Sequence, residues 1–183
     1  MTDNDKIVNF YDKLGIKGST LPKTWSKTLM YNKSHCLCLG GTGSGKSNSL
    51  LNYISRSSGE FYKIIVCSFS TTDEPLYNML EDMGKIELIN DIDDLPDLEE
   101  FDDKNKDKPK LIVFDDFLNV EKKMKKIHKY LISSRKFGFS VWLMSQDYTS
   151  VPKVLVRHIN YFILFKINDN ISSNNIITKK AQI

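Results

Sequence analysis

The sequence predicts an α/β domain built on a mainly parallel sheet with helices on both faces. Two observations predict this class. Short apolar runs alternate with stretches of helical periodicity along most of the chain, a pattern typical of the strand–helix–strand units that form parallel sheets. The chain has 183 residues, a length that suits one domain with a sizeable core.

Five strands and four helices are predicted. The strands are Cys36–Leu39, Lys63–Phe69, Leu111–Phe114, Phe139–Ser145 and Tyr161–Ile167. The helices are Gly45–Ser57, Glu74–Met83, Glu121–Lys136 and a shorter one near Pro152–His158. We divide the chain into an N-terminal extension that packs on the core (1–34), the core itself (35–167) and a polar C-terminal tail (168–183).

Acidic and basic residues are concentrated in separate segments, although the net charge is only +3. Asp91–Asp107 has nine acids and two lysines and is predicted to be a surface insertion, either solvated or paired with a basic face of a neighbouring subunit. Glu121–Arg157 has nine basic residues and two acids. Its helix carries an apolar stripe of Met124, Ile127 and Leu131. The lysines around that stripe form either a solvated face or a surface for DNA phosphates.

The three cysteines predict free thiols in a reducing compartment. Cys36, Cys38 and Cys67 all lie in apolar, strand-like runs, and their number is odd. The run from His35 to Cys38 lacks the second ligand pair that a zinc site would need. No apolar stretch reaches the roughly 18–20 residues of a membrane span, and no signal peptide is recognisable. We therefore expect no membrane partner.

A glycine-rich stretch after the first predicted strand matches a phosphate-binding pattern. Gly40, Gly45, Lys46 and Ser47 occupy the fixed positions of G-x-x-x-x-G-K-[ST], between an apolar strand and a helix. Glycines let the backbone turn tightly and aim its N–H groups at phosphate oxygens, where the helix N-terminus adds a partial positive charge. We predict that the loop binds Mg²⁺–ATP, with Lys46 on the β- and γ-phosphates as a catalytic residue and Ser47 on the metal ion. The predicted nucleotide-binding residues are Gly40, Gly41, Thr42, Gly43, Ser44, Gly45, Lys46, Ser47 and Asn48.

Two aspartates end the third predicted strand. Four apolar residues lead to Asp115 and Asp116, and an acid-tipped strand downstream of a phosphate loop is typical of the Walker B arrangement. Asp115 is predicted to hold Mg²⁺, directly or through water. Asp116 stands where hydrolytic enzymes of this kind often carry glutamate. It is predicted to polarise the attacking water, and its alternative role is to cap the following turn.

The fourth predicted strand ends at a polar amide, Gln146. In one large division of P-loop ATPases an extra strand lies between the Walker A and Walker B strands. The three-layer α/β/α fold then has the strand order 5-1-4-3-2. In that order the end of Phe139–Ser145 adjoins the phosphate loop and Asp115, because ligands bind at the carboxyl ends of the strands. Gln146 is predicted to hold the attacking water and sense the γ-phosphate, the alternative being a hydrogen bond to a neighbouring loop.

Arginine is rare in this chain. Only Arg56, Arg135 and Arg157 occur among the 26 basic residues, and lysine cannot supply the planar fork of donors that arginine has. Arg135 precedes the fourth strand, near the opposite end of the sheet from the nucleotide of its own chain. We predict that it acts in trans on a neighbouring subunit's nucleotide. Arg157 is the second candidate, and a surface arginine is the alternative for either.

The string SSRKFGFSVWLMSQDYTSVP, behind GGTGSGKS and LIVFDD, resembles the FtsK–HerA superfamily of DNA-pumping ATPases. That superfamily carries an arginine before the fourth strand and a glutamine at its end, and Arg135 and Gln146 match those positions. The paired aspartates and compact size are similar to the genome-packaging ATPases of large DNA viruses and virophages, the poxvirus-type group. The chain departs from the superfamily in its short length, and from cellular members in having Asp116 where glutamate is usual.

The resemblance implies an ATP-driven translocase that threads double-stranded DNA into a viral capsid as a homo-oligomeric ring, a pentamer or hexamer. Its implied partners are DNA, further copies of the chain and capsid protein, and its implied location is the virion or the viral factory in the host cytoplasm. The alternatives are a cellular or plasmid-borne DNA pump, a P-loop phosphotransferase or nucleotide-dependent switch, and a non-hydrolysing scaffold. A phosphotransferase needs an acceptor site that the sequence does not show, and a scaffold gives Asp116 and Gln146 no role.

Overall fold

The computed structural model describes residues 28–57, 59–68, 75–116 and 121–166. The strands are β1 His35–Leu39, β2 Lys63–Ser68, β3 Glu87–Ile89, β4 Lys110–Asp115, β5 Phe139–Ser145 and β6 Tyr161–Leu164. The helices are α1 Lys46–Arg56, α2 Pro75–Asp82, α3 Glu121–Ser133 and α4 Lys153–Val156. Three short 3₁₀ helices cover Ile92–Asp94, Leu98–Phe101 and Ser134–Phe137.

The six strands form one sheet in the order β3-β2-β4-β5-β1-β6. Each paired neighbour runs parallel. The order predicted from sequence, 5-1-4-3-2, is confirmed, because it corresponds to β6-β1-β5-β4-β2. The structure adds β3 at the outer edge of β2. This strand was missed because three residues are too few to give a periodic signal.

The sheet is buried on both faces, which explains the continuous apolar runs of its central strands. Alternate residues of β5 point to opposite sides. Phe139, Val141 and Leu143 pack in one core cluster, and Trp142 and Met144 pack in the other. The first cluster includes residues of α3 and α4, and the second includes residues of α1 and α2. The predicted three-layer architecture is therefore confirmed.

The acidic segment Asp91–Asp107 is more than the predicted surface insertion. Its acids are largely exposed, but Ile92, Leu95 and Leu98 are buried in the first core cluster. The Lys129 ammonium lies 2.8 Å from a Glu99 carboxylate oxygen, so the segment pairs with α3 of its own chain. Lys129 is therefore less available to nucleic acid than the sequence indicated.

The predicted helices form with shorter bounds. The helix predicted for Glu121–Lys136 ends at Ser133 and continues as a 3₁₀ turn. That turn ends at Gly138, whose φ of 81° is left-handed and lets the chain reverse into β5. The predicted ends of two strands, Phe69 and Ile167, lie outside the described residues.

The structure describes only part of the three segments into which the sequence was divided. Thr28–Ser34 is described, and there Met30 is buried in the second core cluster, while the Ser34 carbonyl accepts from the Val141 N–H at 2.9 Å. Residues 1–27 and the tail 168–183 lie outside the described residues, so the three-part division stays a prediction. Among the described residues, no helix is both long and apolar enough to cross a bilayer.

The cysteines are buried and carry free thiols. Burial raises the pKa of the Cys38 thiol to about 12, which leaves it protonated and inert at neutral pH. Within the described part of the chain, no group of three or more histidine, cysteine or acidic side chains is arranged to hold a metal ion.

Candidate nucleotide site

The glycine-rich loop connects the end of β1 to the start of α1, as its motif predicts. Gly43 and Gly45 have φ angles of 72° and 100°, a left-handed conformation that side chains disfavour. Gly45 is also the N-cap of α1 and provides no side-chain cap to the helix. The first N–H groups of α1 therefore have no acceptor from an N-cap side chain, which suits an anion such as phosphate.

The Lys46 side chain folds back onto this loop. Its ammonium donates to the carbonyl oxygens of Gly40 at 2.7 Å and of Gly41 at 3.1 Å. An ammonium has three donors on one flexible stem, so the group that steadies the loop can also donate to a phosphate held there.

Gly40 is the loop glycine with the least space for a side chain. Its N–H donates to the Ser145 carbonyl at 3.2 Å, which ties the loop to the end of β5. A Cβ at this position would lie 2.6 Å from both the Phe165 Cβ and the Ser44 Oγ. Neither atom is the far end of a long side chain, so the loop itself would have to move.

Gly40→Ala is therefore expected to weaken ATP binding and hydrolysis by roughly ten- to a hundredfold, since small displacements of positioning groups cost that much. Gly41→Ala is the matched control, because a Cβ there meets no atom within 4 Å. Titration with a fluorescent ATP analogue and steady-state hydrolysis measure both effects. Equal losses in the two variants would contradict this account of the loop.

Asp115 is the last residue of β4 and Asp116 follows it, and both lie beside the loop. The Tyr77 hydroxyl donates to Asp115 Oδ2 at 2.8 Å. Burial raises the pKa of Asp115, against the opposing effects of this hydrogen bond and the Lys46 charge. Tyr77 is buried in α2 and was missed by sequence reasoning, because nothing in its local sequence indicates a contact 38 residues away.

Asp116 has a φ of 51°, a left-handed conformation uncommon outside glycine. Aspartate is among the residues that tolerate it best, and strained positions of this kind concentrate at functional sites. Ser47 and Asp115 line one cleft and supply a hydroxyl and a carboxylate, the oxygen donors that Mg²⁺ prefers. The residues present therefore fit the predicted metal ion.

Gln146 follows the end of β5 and lines the same cleft as Ser47 and Asp115. The Thr42 hydroxyl donates to its Oε1 at 3.0 Å, so the amide is held against the loop. The alternative that sequence left open, a bond to a neighbouring loop, is thus present, and that loop is the phosphate loop itself. The cleft is lined by Thr42, Gly43, Lys46, Ser47, Ser68, Asp115, Asp116, Met144, Ser145 and Gln146.

A second cleft, of about 550 Å³, borders the other side of the loop. Ser44, Gly45 and Asn48 contribute to it, so it shares the glycine-rich segment with the first cleft. Apolar side chains of Met30, Ile163 and Phe165 and polar side chains of Asn52 and Arg56 complete much of its wall. Sequence reasoning missed this cleft, because its walls come from four separate parts of the chain.

The two candidate trans arginines lie outside both clefts. Arg135 is exposed in the 3₁₀ turn before β5. β5 has seven residues, and a strand of that length spans about 23 Å, so Arg135 is remote from Gln146 at the other end. Arg157 is exposed at the C-cap of α4. The prediction that Arg135 cannot easily reach its own nucleotide agrees with this placement.

The sheet order places β5 between β1, which leads into the glycine loop, and β4, which leads to the two aspartates. With a lysine, a hydroxyl and these carboxylates around one cleft, the chain is a P-loop NTPase of the division with the inserted strand. Its family follows from sequence: the chain belongs to the poxvirus A32 protein family, whose model matches residues 24–183. A comparison with curated proteins gave no match.

Several solved structures share the fold. B204 of Sulfolobus turreted icosahedral virus 2, described as a genome packaging NTPase and solved with AMPPCP, is 14% identical and superposes with a TM-score of 0.58, covering 80% of this chain and 82% of that one. The cytoplasmic domain of EssC is 12% identical with a TM-score of 0.60. The match covers 80% of this chain but only 34% of that cytoplasmic domain. These likenesses show the fold, and the family match confirms the resemblance to the poxvirus-type group.

Proposed function

We propose that this protein is an ATP-driven translocase that packages a viral genome, moving double-stranded DNA into a capsid. The observation that carries the proposal is the convergence of Lys46, Asp115, Asp116 and Gln146 around one cleft in a chain of the poxvirus A32 family. The similarity to a viral genome packaging NTPase solved with ATP analogues supports it.

ATP would bind with its triphosphate in the first cleft and its nucleoside in the second. The α1 N-terminus and Lys46 would hold the phosphates, while Ser47 and Asp115 would hold Mg²⁺, which neutralises phosphate charge when bound. Asp116 would polarise the attacking water. Gln146, held through Oε1 by Thr42, would orient that water with its amide N–H groups.

Hydrolysis would be coupled to movement on DNA in a homo-oligomeric ring, a pentamer or hexamer. Such rings form through head-to-tail contacts, in which one surface of a subunit meets a different surface of the next. Arg135 would then act in trans on the neighbour's nucleotide. The capsid protein would be a further partner, and the virion or the viral factory in the host cytoplasm the place of action.

ATP hydrolysis measured with and without double-stranded DNA tests this function. We expect DNA to raise the turnover rate, and the stimulation to fall steeply as salt is raised, because phosphate contacts depend on counterion release. A turnover rate that is unchanged by DNA, together with phosphorylation of a small acceptor, would contradict the proposal.

Two variants of Gln146 test, in the same hydrolysis assay, whether its amide donors act in catalysis. Gln146→Ala is expected to lower the turnover rate by roughly a hundredfold, the usual size for a positioned polar group at a transition state. Gln146→Glu keeps an acceptor for Thr42 but loses the amide donors. If it is as inactive as Gln146→Ala, the donors matter. Recovery in the glutamate variant would reduce Gln146 to a structural partner of the loop.

A further inference from the structure

A third cleft, of about 450 Å³, lies at the end of the sheet opposite the phosphate loop. Its charged side chains are two cations, Lys33 and Arg135, and none of its lining residues is acidic. It is lined by Tyr31, Asn32, Lys33, Ser34, Arg135, Asn160 and Tyr161. A cationic cleft rimmed by tyrosine and asparagine side chains is chemically suited to a phosphate-bearing ligand.

Arg135 is fixed in place by Asn160. Its Nη2 donates to Asn160 Oδ1 at 2.8 Å, and the same oxygen accepts from the His35 N–H at 3.0 Å. The Asn160 N–H in turn donates to the His35 carbonyl at 2.9 Å. Asn160 therefore links the guanidinium to the first residue of β1, whereas an exposed arginine ordinarily keeps much of its rotamer freedom.

Buried contacts also fix the 3₁₀ turn that carries Arg135. Ser134 is fully buried, and its hydroxyl lies 3.3 Å from His35 Nε2. His35 Nδ1 donates to the His158 carbonyl at 3.0 Å, so Nε2 of the neutral ring accepts from Ser134. Burial lowers the pKa of His35 to about 4, which keeps this arrangement intact at neutral pH. The guanidinium is thus presented on a rigid base.

The second cation comes from a strained turn. Lys33 has a φ of 58°, a conformation that costs about 1 kcal/mol or more for a residue with a side chain unless function or packing compensates. Its N–H donates to Ser140 Oγ at 2.9 Å, which fixes the turn against β5. Beside it, the rings of Tyr31 and Tyr161 lie 6.5 Å apart. Two cations therefore converge on one cleft from different segments.

We infer that Lys33 and Asn160 complete the site at which Arg135 meets the triphosphate of an ATP molecule held on a second copy of the chain: Lys33 is the second cation of this cleft, and Asn160 positions Arg135. The inference rests on the proposed function, because it requires a ring. A phosphate loop at one end of the sheet and a cationic cleft at the other allow head-to-tail contacts in which the cleft of one copy meets the loop of the next. Arg157 does not line this cleft, which favours Arg135 as the trans arginine.

A triphosphate suits the cleft better than a DNA backbone does. The two cations line one cleft, and triphosphate charge is concentrated in the same way, whereas DNA phosphates are spread along a strand. The cleft is also linked to the nucleotide site of its own chain, because β1 begins at His35, which contacts Asn160, and ends at Leu39, directly before the phosphate loop.

The steady-state kinetics of single variants give the first test. We expect the turnover rate to fall by about 10³-fold in Arg135→Ala, by roughly tenfold or more in Asn160→Ala and by about tenfold in Lys33→Asn. KM should change little, because these contacts act mainly in the transition state. Lys33→Asn suits the left-handed backbone, and Lys33→Arg should retain activity. Lys136→Ala, an exposed neighbour on the same turn that does not line the cleft, is the matched control.

Mixed assemblies give the deciding test. A Lys46→Ala subunit has an intact cationic cleft and a damaged phosphate loop. Each variant of the cationic cleft has a damaged cleft and an intact phosphate loop. In a random equal mixture, roughly one adjacent pair in four joins an intact cleft to an intact loop. Hydrolysis should therefore reappear when Lys46→Ala subunits are mixed with Arg135→Ala, Lys33→Asn or Asn160→Ala subunits, each inactive or weakly active alone.

The outcomes separate the inference from the function on which it rests. If Arg135→Ala is complemented but Lys33→Asn and Asn160→Ala are fully active alone, the added residues are wrong and the trans arginine stands. If no cleft variant is complemented, although each folds by circular dichroism, the cleft acts within its own subunit and the inference fails. If the variants lose only DNA binding and DNA stimulation, the cleft is a DNA contact, which also overturns it. DNA-stimulated hydrolysis by the wild type tests the proposed function independently.

Discussion

Lys46→Met is expected to reduce ATP hydrolysis by about 10³-fold, since it removes the one flexible cation of the loop while keeping the length of the side chain. The ammonium now donates to the Gly40 and Gly41 carbonyls, and the same donors would reach the phosphates. Two functions are lost together, the steadying of the loop and the charge that compensates the transition state. Turnover rates and the affinity for a fluorescent ATP analogue separate the two.

The control for this variant is Lys153→Met, because Lys153 is exposed on α4 and lines none of the three clefts described above. It should hydrolyse ATP at the wild-type rate. If Lys46→Met binds the analogue normally but does not turn over, the charge acts in catalysis. If it retains turnover near the wild-type rate, the cleft is not a hydrolytic site, and the proposed function loses its basis.

Much of the first cleft could be predicted because its signals are local. The glycine loop is recognisable from residue types at fixed spacing between a strand and a helix. The apolar runs that end at Asp115 and Gln146 give the chain positions of two more side chains. The sheet order then brings these side chains together, because parallel strands place their carboxyl ends at one edge.

The features that sequence missed depend on contacts between distant residues. Tyr77 contacts Asp115 across 38 positions, and Asn160 contacts His35 across 125. Single side chains of this kind leave no periodic pattern to detect. The acidic segment was misinterpreted for a related reason. Its charges dominate its composition, whereas its three buried residues, Ile92, Leu95 and Leu98, are spaced at the short intervals of 3₁₀ turns.

Lys110→Met is expected to lower the free energy of unfolding by about 3 kcal/mol, because it leaves several partly buried carbonyl groups without their charged donor. Lys110 is 1% exposed. Its ammonium donates to a carbonyl cluster, the backbone oxygens of Asn105 at 2.7 Å, Lys106 at 3.1 Å, Lys108 at 3.2 Å and Phe137 at 2.8 Å. Methionine matches the length and apolar stem of lysine, so little of the loss would come from packing. Urea unfolding followed by circular dichroism measures it.

The matched control is Lys63→Met. Lys63 pairs with Lys110 in the register of β2 and β4, but its ion pair with Glu87 is partly exposed, and such pairs contribute at most about 1 kcal/mol. Equal urea midpoints for the two variants would show that the carbonyl cluster contributes no special stability.

The carbonyl cluster should also affect ATP hydrolysis, because Phe137 belongs to the turn that carries Arg135. We therefore expect Lys110→Met to lose ATP hydrolysis at urea concentrations where the chain is still folded, since a loosened turn misplaces the guanidinium before the sheet unfolds.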